Sequence, residues 1–272
     1  MWKNTSKKAP IAVFLGWILF LSLFVTGVLL LLEPYSVSYM ENGRLTVGYA
    51  IYAVIGMLFS TPAPLVALFI TLRGAEKITV KEFFRRIIYT KKLWTTVWIT
   101  GLFCIAAFVF ALCCGEPNGA PWYMMPLGFV IMIPFVGVAE EPGWRGFLQP
   151  EMEKMFPFPI ATSITAVIWC VWHLPIWVMP SSNHYGDSLI GFAITIFVWS
   201  FIGAAIYKAT KSVFACAIYH SFINSIGAVY DWNNLFDAYP KTNAMMLYFG
   251  IVFMAAVIIW VIYDRKEKAS IT

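Results

Sequence analysis

Apolar residues in this chain run in long uninterrupted stretches. They neither alternate nor recur every three or four positions. Ile11–Leu32 holds no charge, and comparable stretches follow at about Val47–Leu72, Leu93–Cys114, Trp122–Val138, Ile160–Met179, Leu189–Tyr207, Val213–Val229 and Ala244–Tyr263. Crossing about 30 Å of hydrocarbon takes roughly 20 helical residues, whereas a barrel strand needs about 9–11 alternating ones. The pattern predicts an all-α polytopic membrane protein of about eight transmembrane helices, with short connections and no soluble domain. The first stretch exceeds the roughly 7–15 residues of a signal-peptide core and has no small-x-small site after it, so it reads as a retained span.

Composition fits that reading. Of 272 residues, 60% are from the set AVILMFWYC and 12% are charged, against about 25% charged in an ordinary soluble domain. The cations are sorted by connection. Lys3, Lys7 and Lys8, the seven Lys and Arg between Arg73 and Lys92, Arg145, Lys154, Lys208, Lys211, Arg265, Lys266 and Lys268 fall on one side, and only Arg44 and Lys241 on the other. Cytoplasmic loops are enriched in Lys and Arg. The asymmetry predicts an even number of spans in the plasma membrane with both termini cytoplasmic. The net charge of +5 then reflects topology and contact with anionic lipid headgroups, not nucleic acid.

The five cysteines (Cys104, Cys113, Cys114, Cys170, Cys216) lie inside apolar runs and read as small hydrophobes. No ligand spacing or disulfide framework accompanies them. Trp17, Trp94, Trp122, Trp177 and Tyr263, near the span ends, read as an interfacial belt. His184, in an outside loop beside Asn183 and Tyr185, reads as surface.

Ionisable residues at membrane depth are costly, face the bundle interior and usually mark function. Three stretches concentrate them: Ala139–Leu148 with Glu140, Glu141 and Arg145, Trp169–Pro175 with His173, and Cys216–Ser225 with His220 and Asn224. Glu141 and Arg145 stand at i,i+4 in the favourable order for an ion pair. Glu140 is turned about 100° away and has no helical partner, and an unpaired carboxyl in an apolar setting suits a general base. Pro142, with Gly137 and Gly143 nearby, predicts a distorted helix. His220 and Asn224 share a face, and two neutral donors there suit an oxyanion formed at a peptide carbonyl. His173, one turn from Trp169, adds an imidazole. One Glu with two or three His or Asn groups matches either water activation or a metal site.

These motifs, Glu140-Glu141-x-x-x-Arg145, Trp169-x-x-x-His173 and His220-x-x-x-Asn224, resemble those of the CPBP family. It comprises type II CAAX prenyl proteases and bacteriocin-processing or immunity-associated proteins, also called Abi. The resemblance divides the chain into N-terminal helices 1–3 at 1–121, a catalytic core of helices 4–7 at 122–226, and helix 8 with a cytoplasmic tail at 227–272. The family commonly has Phe where this chain has Trp169. The resemblance implies an intramembrane endopeptidase cutting near the C-terminus or membrane-proximal part of a protein or peptide, prenylated or not. Glu140 and His173 would activate water, His220 and Asn224 would hold the oxyanion, and Glu141, Arg145 and Trp169 would support the site. The sequence lacks HExxH and favours a glutamic peptidase without cofactor, leaving zinc as the metal alternative. A non-catalytic protein, such as a bacteriocin self-immunity factor or small transporter, is the competing class, although no inverted repeat is visible.

Depth raises a conflict. At about 1.5 Å per residue, His173 lies roughly 20 Å from the cytoplasmic end, while Glu140 and His220 lie close to it. Tilt, the Pro142 distortion or a fourth helix extending below the membrane would bring them level. The four polar groups are expected to converge in one cavity open toward the cytoplasmic half of the membrane.

Overall fold

The computed structural model describes residues 11–56, 62–182, 184–231 and 241–270 as an all-helical bundle. Its helices are α1 Ile11–Asn42, α2 Val47–Ile55, α3 Ala63–Glu76, α4 Val80–Ile88 and α5 Leu93–Cys114. They continue with α6 Met124–Glu153, α7 Phe158–Val178, α8 Leu189–Thr210, α9 Val213–Ile226 and α10 Lys241–Ala269. A two-residue antiparallel ribbon joins β1 Glu116–Pro117 to β2 Tyr230–Asp231. It ties the connection before α6 to the end of α9.

Six of these helices, α1, α5, α6, α7, α8 and α10, are long and apolar enough to cross a membrane. The stretch expected at Val47–Leu72 is instead two helices, α2 and α3, flanking residues 57–61, which lie outside the described set, as do the N-terminal Lys3, Lys7 and Lys8. The stretch at Val213–Val229 is a 14-residue helix, short of the roughly 20 residues a crossing needs. Outward faces are apolar, with Leu31, Trp94, Trp98, Trp122 and Ile190 each more than 70% exposed. Such faces suit lipid, which supplies no hydrophobic drive for helix association.

Close packing supplies that drive instead. A Cβ on Gly137 of α6 would collide with the Ala217 carbonyl and Ser221 hydroxyl of α9, so only glycine lets these backbones approach. Ser221 Oγ also donates to the Met132 carbonyl, at 3.1 Å. That carbonyl lies beside a wide-turn stretch, Ile133–Gly137, and a second follows at Pro142–Leu148. Each stretch begins at or next to a proline, which removes a ladder donor and loosens the helix. The distortion expected at Pro142 is present, with a companion at Pro134.

The cation-rich segment 73–92, read from sequence as a plain connection, contains α4. Thr79 caps it by accepting from the Glu82 amide at 3.2 Å, and Phe83 and Ile87 are buried. On its outer side Arg86 bridges Glu76 and Glu82, while Arg85 pairs with Glu82. These two arginines hold the Glu82 carboxyl below the usual carboxylate range. α4 packs against α9, and the Thr90 hydroxyl just beyond it hydrogen-bonds Ser212, the α9 N-cap, at 2.8 Å. The start of α9 is therefore covered: Ser212 is fully buried and Val213 nearly so.

This burial resolves the depth conflict. α9 begins inside the protein, so His220 is deeper than a count from a membrane surface implies. α6 runs 13 residues past Glu140 to Glu153, and α7 takes 15 residues from Phe158 to His173. At about 1.5 Å per residue those lengths differ by about 3 Å. The extended fourth helix brings Glu140 and His173 level.

Gly137→Val should lower unfolding stability in detergent by about 1–3 kcal/mol, the usual cost of overpacking. An unchanged melting temperature would show that α6 and α9 are not in close contact.

Candidate functional site

Glu140, Glu141 and Arg145 sit between and within the widened turns of α6, and all three are almost completely buried. Charge at such depth must be paired. Arg145 Nη1 donates to Glu141 Oε1 at 3.0 Å, forming the expected i,i+4 pair. The same oxygen accepts from His220 Nδ1 of α9 at 2.9 Å, a contact the sequence did not suggest. Arg145 Nη2 reaches Ser200 on α8 at 3.4 Å, and a Cβ on Gly203 would lie 2.8 Å from Arg145 Nε. Gly203 therefore leaves room on α8 for the guanidinium.

Glu140 lacks a charged neighbour on its helix, as expected, but it does have polar partners. Its Oε2 accepts from Trp169 Nε1 of α7 at 2.9 Å and from Trp144 Nε1, one turn along α6, at 3.4 Å. Oε1 makes no hydrogen bond among the described residues. Trp144, fully buried, was not singled out from sequence, although its i+4 spacing from Glu140 was visible there.

Trp169 joins the parts of the site. Besides its bond to Glu140, its ring lies 4.4 Å from Arg145 Cζ and 5.3 Å from the His220 ring, which it meets edge-on. Its carbonyl accepts from His173 Nδ1 at 2.8 Å. Because a carbonyl only accepts, the proton sits on Nδ1 and the lone pair of a neutral ring sits on Nε2. Trp172 and Phe192 fix the His173 ring from two sides, at 4.7 and 5.1 Å.

Glu140, His173, His220 and Asn224 line one cavity of about 240 Å³. Its lining is not confined to 122–226, because Met245 and Phe249 of α10 contribute to the wall. The convergence is as expected, and the direction of opening is not. Beneath the site Arg145, Leu148, Thr165, Ser200 and Cys216 are at most 1% exposed and close the end facing the cation-rich connections. The lining instead reaches His184, Asp187 and Ser188, in the connection before α8. The expectation of an opening toward the cation-rich side is thus corrected, because packed side chains fill that side.

His184 is corrected with it: the residue read as surface lines the mouth. Its Nδ1 pairs with Asp187 Oδ2 at 3.0 Å, and its ring stacks on Trp177 at 5.3 Å. Trp177 likewise leaves the interfacial belt, donating to the Asp187 carbonyl at 3.1 Å and packing on Phe192. The same connection is fastened to α1 through Glu33, whose Oε1 accepts from the Ser181 amide at 2.7 Å. Cysteines take no part in the lining, and Cys216 is buried against the Gly203 carbonyl.

Among the described residues no three His, Cys, Asp or Glu side chains are grouped so as to hold a metal ion. Glu140 Oε2 is taken by two indoles and Glu141 Oε1 by Arg145 and His220.

Residues 120–226 match the Rce1-like family, described as type II CAAX prenyl endopeptidase Rce1-like. That segment, under half of the chain, is similar to the CPBP/CAAX protease family. All seven motif residues from Glu140 to Asn224 fall within it, and the family points to a membrane endopeptidase acting on protein or peptide. No curated protein sequence is significantly similar to the chain.

Arg145→Met strands the Glu141 charge in a dry interior and should cost about 3–5 kcal/mol of stability. Adding Glu141→Gln should recover part of it, and strictly additive losses in detergent unfolding would refute the pairing. Trp169→Phe keeps the ring but removes the bond to Glu140. It should lose about 1.5–3 kcal/mol, the range for hydrogen bonds to charged groups; an unperturbed melt would deny that bond.

Proposed function

We propose that this chain is an intramembrane endopeptidase of the glutamic type, with water activated by Glu140 and His173 as the nucleophile. The observation that carries the reading is the division of labour between adjacent carboxylates. Glu141 is neutralised by Arg145 and His220, whereas Glu140 keeps Oε1 unbonded in the cavity that His173 also lines. The substrate is a protein or peptide cut near its C-terminus or beside its membrane segment, as the family suggests.

A water between Glu140 Oε1 and His173 Nε2 would lose a proton to the carboxylate as its oxygen attacks the scissile carbonyl carbon. The carbonyl π bond becomes an oxyanion, and the role of holding it is assigned to the amide of Asn224, which lines the same cavity. His220, held at Nδ1 by the Glu141 carboxylate at 2.9 Å, is assigned as the second residue at the oxyanion. Collapse of the tetrahedral species breaks the C–N bond, and the proton held by Glu140 passes to the departing amine. Glu141, Arg145 and Trp169 position these groups. No step needs a metal.

Glu140→Gln keeps size and hydrogen bonding but removes the base, so cleavage should fall by about 10²–10⁴-fold. Glu141→Gln should lose more stability than chemistry. Cleavage by the purified protein should survive a chelator. Near-normal turnover by well-folded Glu140→Gln would overturn the assignment, and chelator-abolished turnover restored by zinc would replace it with a metallopeptidase.

A further inference from the structure

We infer that the cavity opens on the extracytoplasmic side of the membrane, and that its substrate is an exported or membrane-anchored peptide segment presented from that side. The second half of this statement rests on the endopeptidase reading; the first does not.

Two independent observations carry it. One is the sorting of cations: leaving aside Arg145, which is buried in the site, 16 Lys and Arg lie with the termini and the segments 73–92, 154–158 and 208–212, and two lie with the alternate connections. The positive-inside rule places the first set in the cytoplasm. The other is the shape of the cavity. Its mouth is built by His184, Asp187 and Ser188, in a connection without Lys or Arg, and its wall continues along α8 through Phe192 and Thr195. Exposure rises along that path, from buried Glu140 and His220, through half-buried His173 and Asp187, to exposed Ser188. Toward the cation-rich end the path is blocked by Arg145, Leu148, Thr165 and Ser200, all buried.

The chemical consequence is a restriction on substrate. A cytosolic chain end, prenylated or not, meets the closed end of the bundle. A peptide with its scissile bond near the outer interface passes Ser188 and His184 and reaches Glu140 without crossing the Arg145 layer. The mouth is fastened on the same outer side, through Glu33 to Ser181 and through the Tyr52 hydroxyl to Ser181 Oγ at 2.7 Å.

The test labels single cysteines with a membrane-impermeant maleimide in intact cells, in a background with Cys113 and Cys114 replaced by Ala. Tyr185→Cys beside the mouth, 57% exposed, should label without permeabilisation. Met155→Cys in the connection after α6, 56% exposed, should label only after it. The reverse pattern would overturn the orientation. A pool of soluble quenched-fluorescent peptides is then offered to right-side-out and inside-out vesicles. Cleavage confined to right-side-out vesicles supports the substrate assignment, and cleavage confined to inside-out vesicles overturns it. If detergent-solubilised protein cleaves none of the pool while labelling is as expected, the endopeptidase reading fails and the orientation stands.

Discussion

One carboxylate oxygen, Glu141 Oε1, accepts from Arg145 on its own helix and from His220 on another, at 3.0 and 2.9 Å. In water such a pair contributes little, but inside a bundle an unpaired charge is prohibitive. The pairing therefore dictates where α6 and α9 sit relative to each other. Gly137 permits the approach and Ser221 completes it with a bond to the Met132 carbonyl. The Arg145 guanidinium, now committed to Glu141 and Ser200, lies against Trp169 of α7 and fits the space left by Gly203 of α8. Four helices are located by one buried ion pair.

Trp169 converts that scaffold into an arrangement of reactive groups. Its indole N–H, ring and backbone carbonyl each meet a different partner: Glu140, Arg145 and His173. A phenylalanine ring would fill the volume but leave Glu140 Oε2 with only the longer bond from Trp144. A buried polar atom is costly without a partner; the tryptophan satisfies Glu140 Oε2, while Glu141 Oε2 has no partner among the described residues. The widened turns of α6 serve the same end, because Pro134 and Pro142 start stretches whose altered pitch carries Glu140 and Glu141 on α6 toward different partners.

Much of this was legible in the chain because the bilayer makes polar residues conspicuous. Glu140, His173, His220 and Asn224 stood out against apolar runs, and the Glu141–Arg145 spacing gave the pair directly. What escaped was whatever depended on neighbours distant in sequence. Glu141–His220 spans 79 residues and Glu140–Trp169 spans 29, and no periodicity encodes either. His184 looked like a loop residue because hydropathy cannot distinguish a residue at a cavity mouth from one at the membrane surface, and Trp177 stacks behind it. α9 was read as a span because its composition is apolar, yet its length of 14 residues is set by α4 covering its start. The apolar positions Phe83 and Ile87 at i,i+4 were the available signal for α4, concealed within a run of cations.

The same apolar setting that makes the site visible also constrains how it can be entered. The proposed hydrolytic site needs water, but the Glu141–Arg145 pair needs a dry surrounding to hold its helices. Both demands are met only if access is one-sided, with packed side chains below the ion pair and polar lining above it. His184, Asp187, Ser188 and Thr195 supply that polar lining, whereas Leu148, Phe147 and Trp144 seal the opposite side. Moving the opening to the sealed side would expose Arg145 and Glu141 to solvent and weaken the pair that locates α9. The direction of the mouth is therefore coupled to the integrity of the scaffold, and the two cannot be redesigned independently.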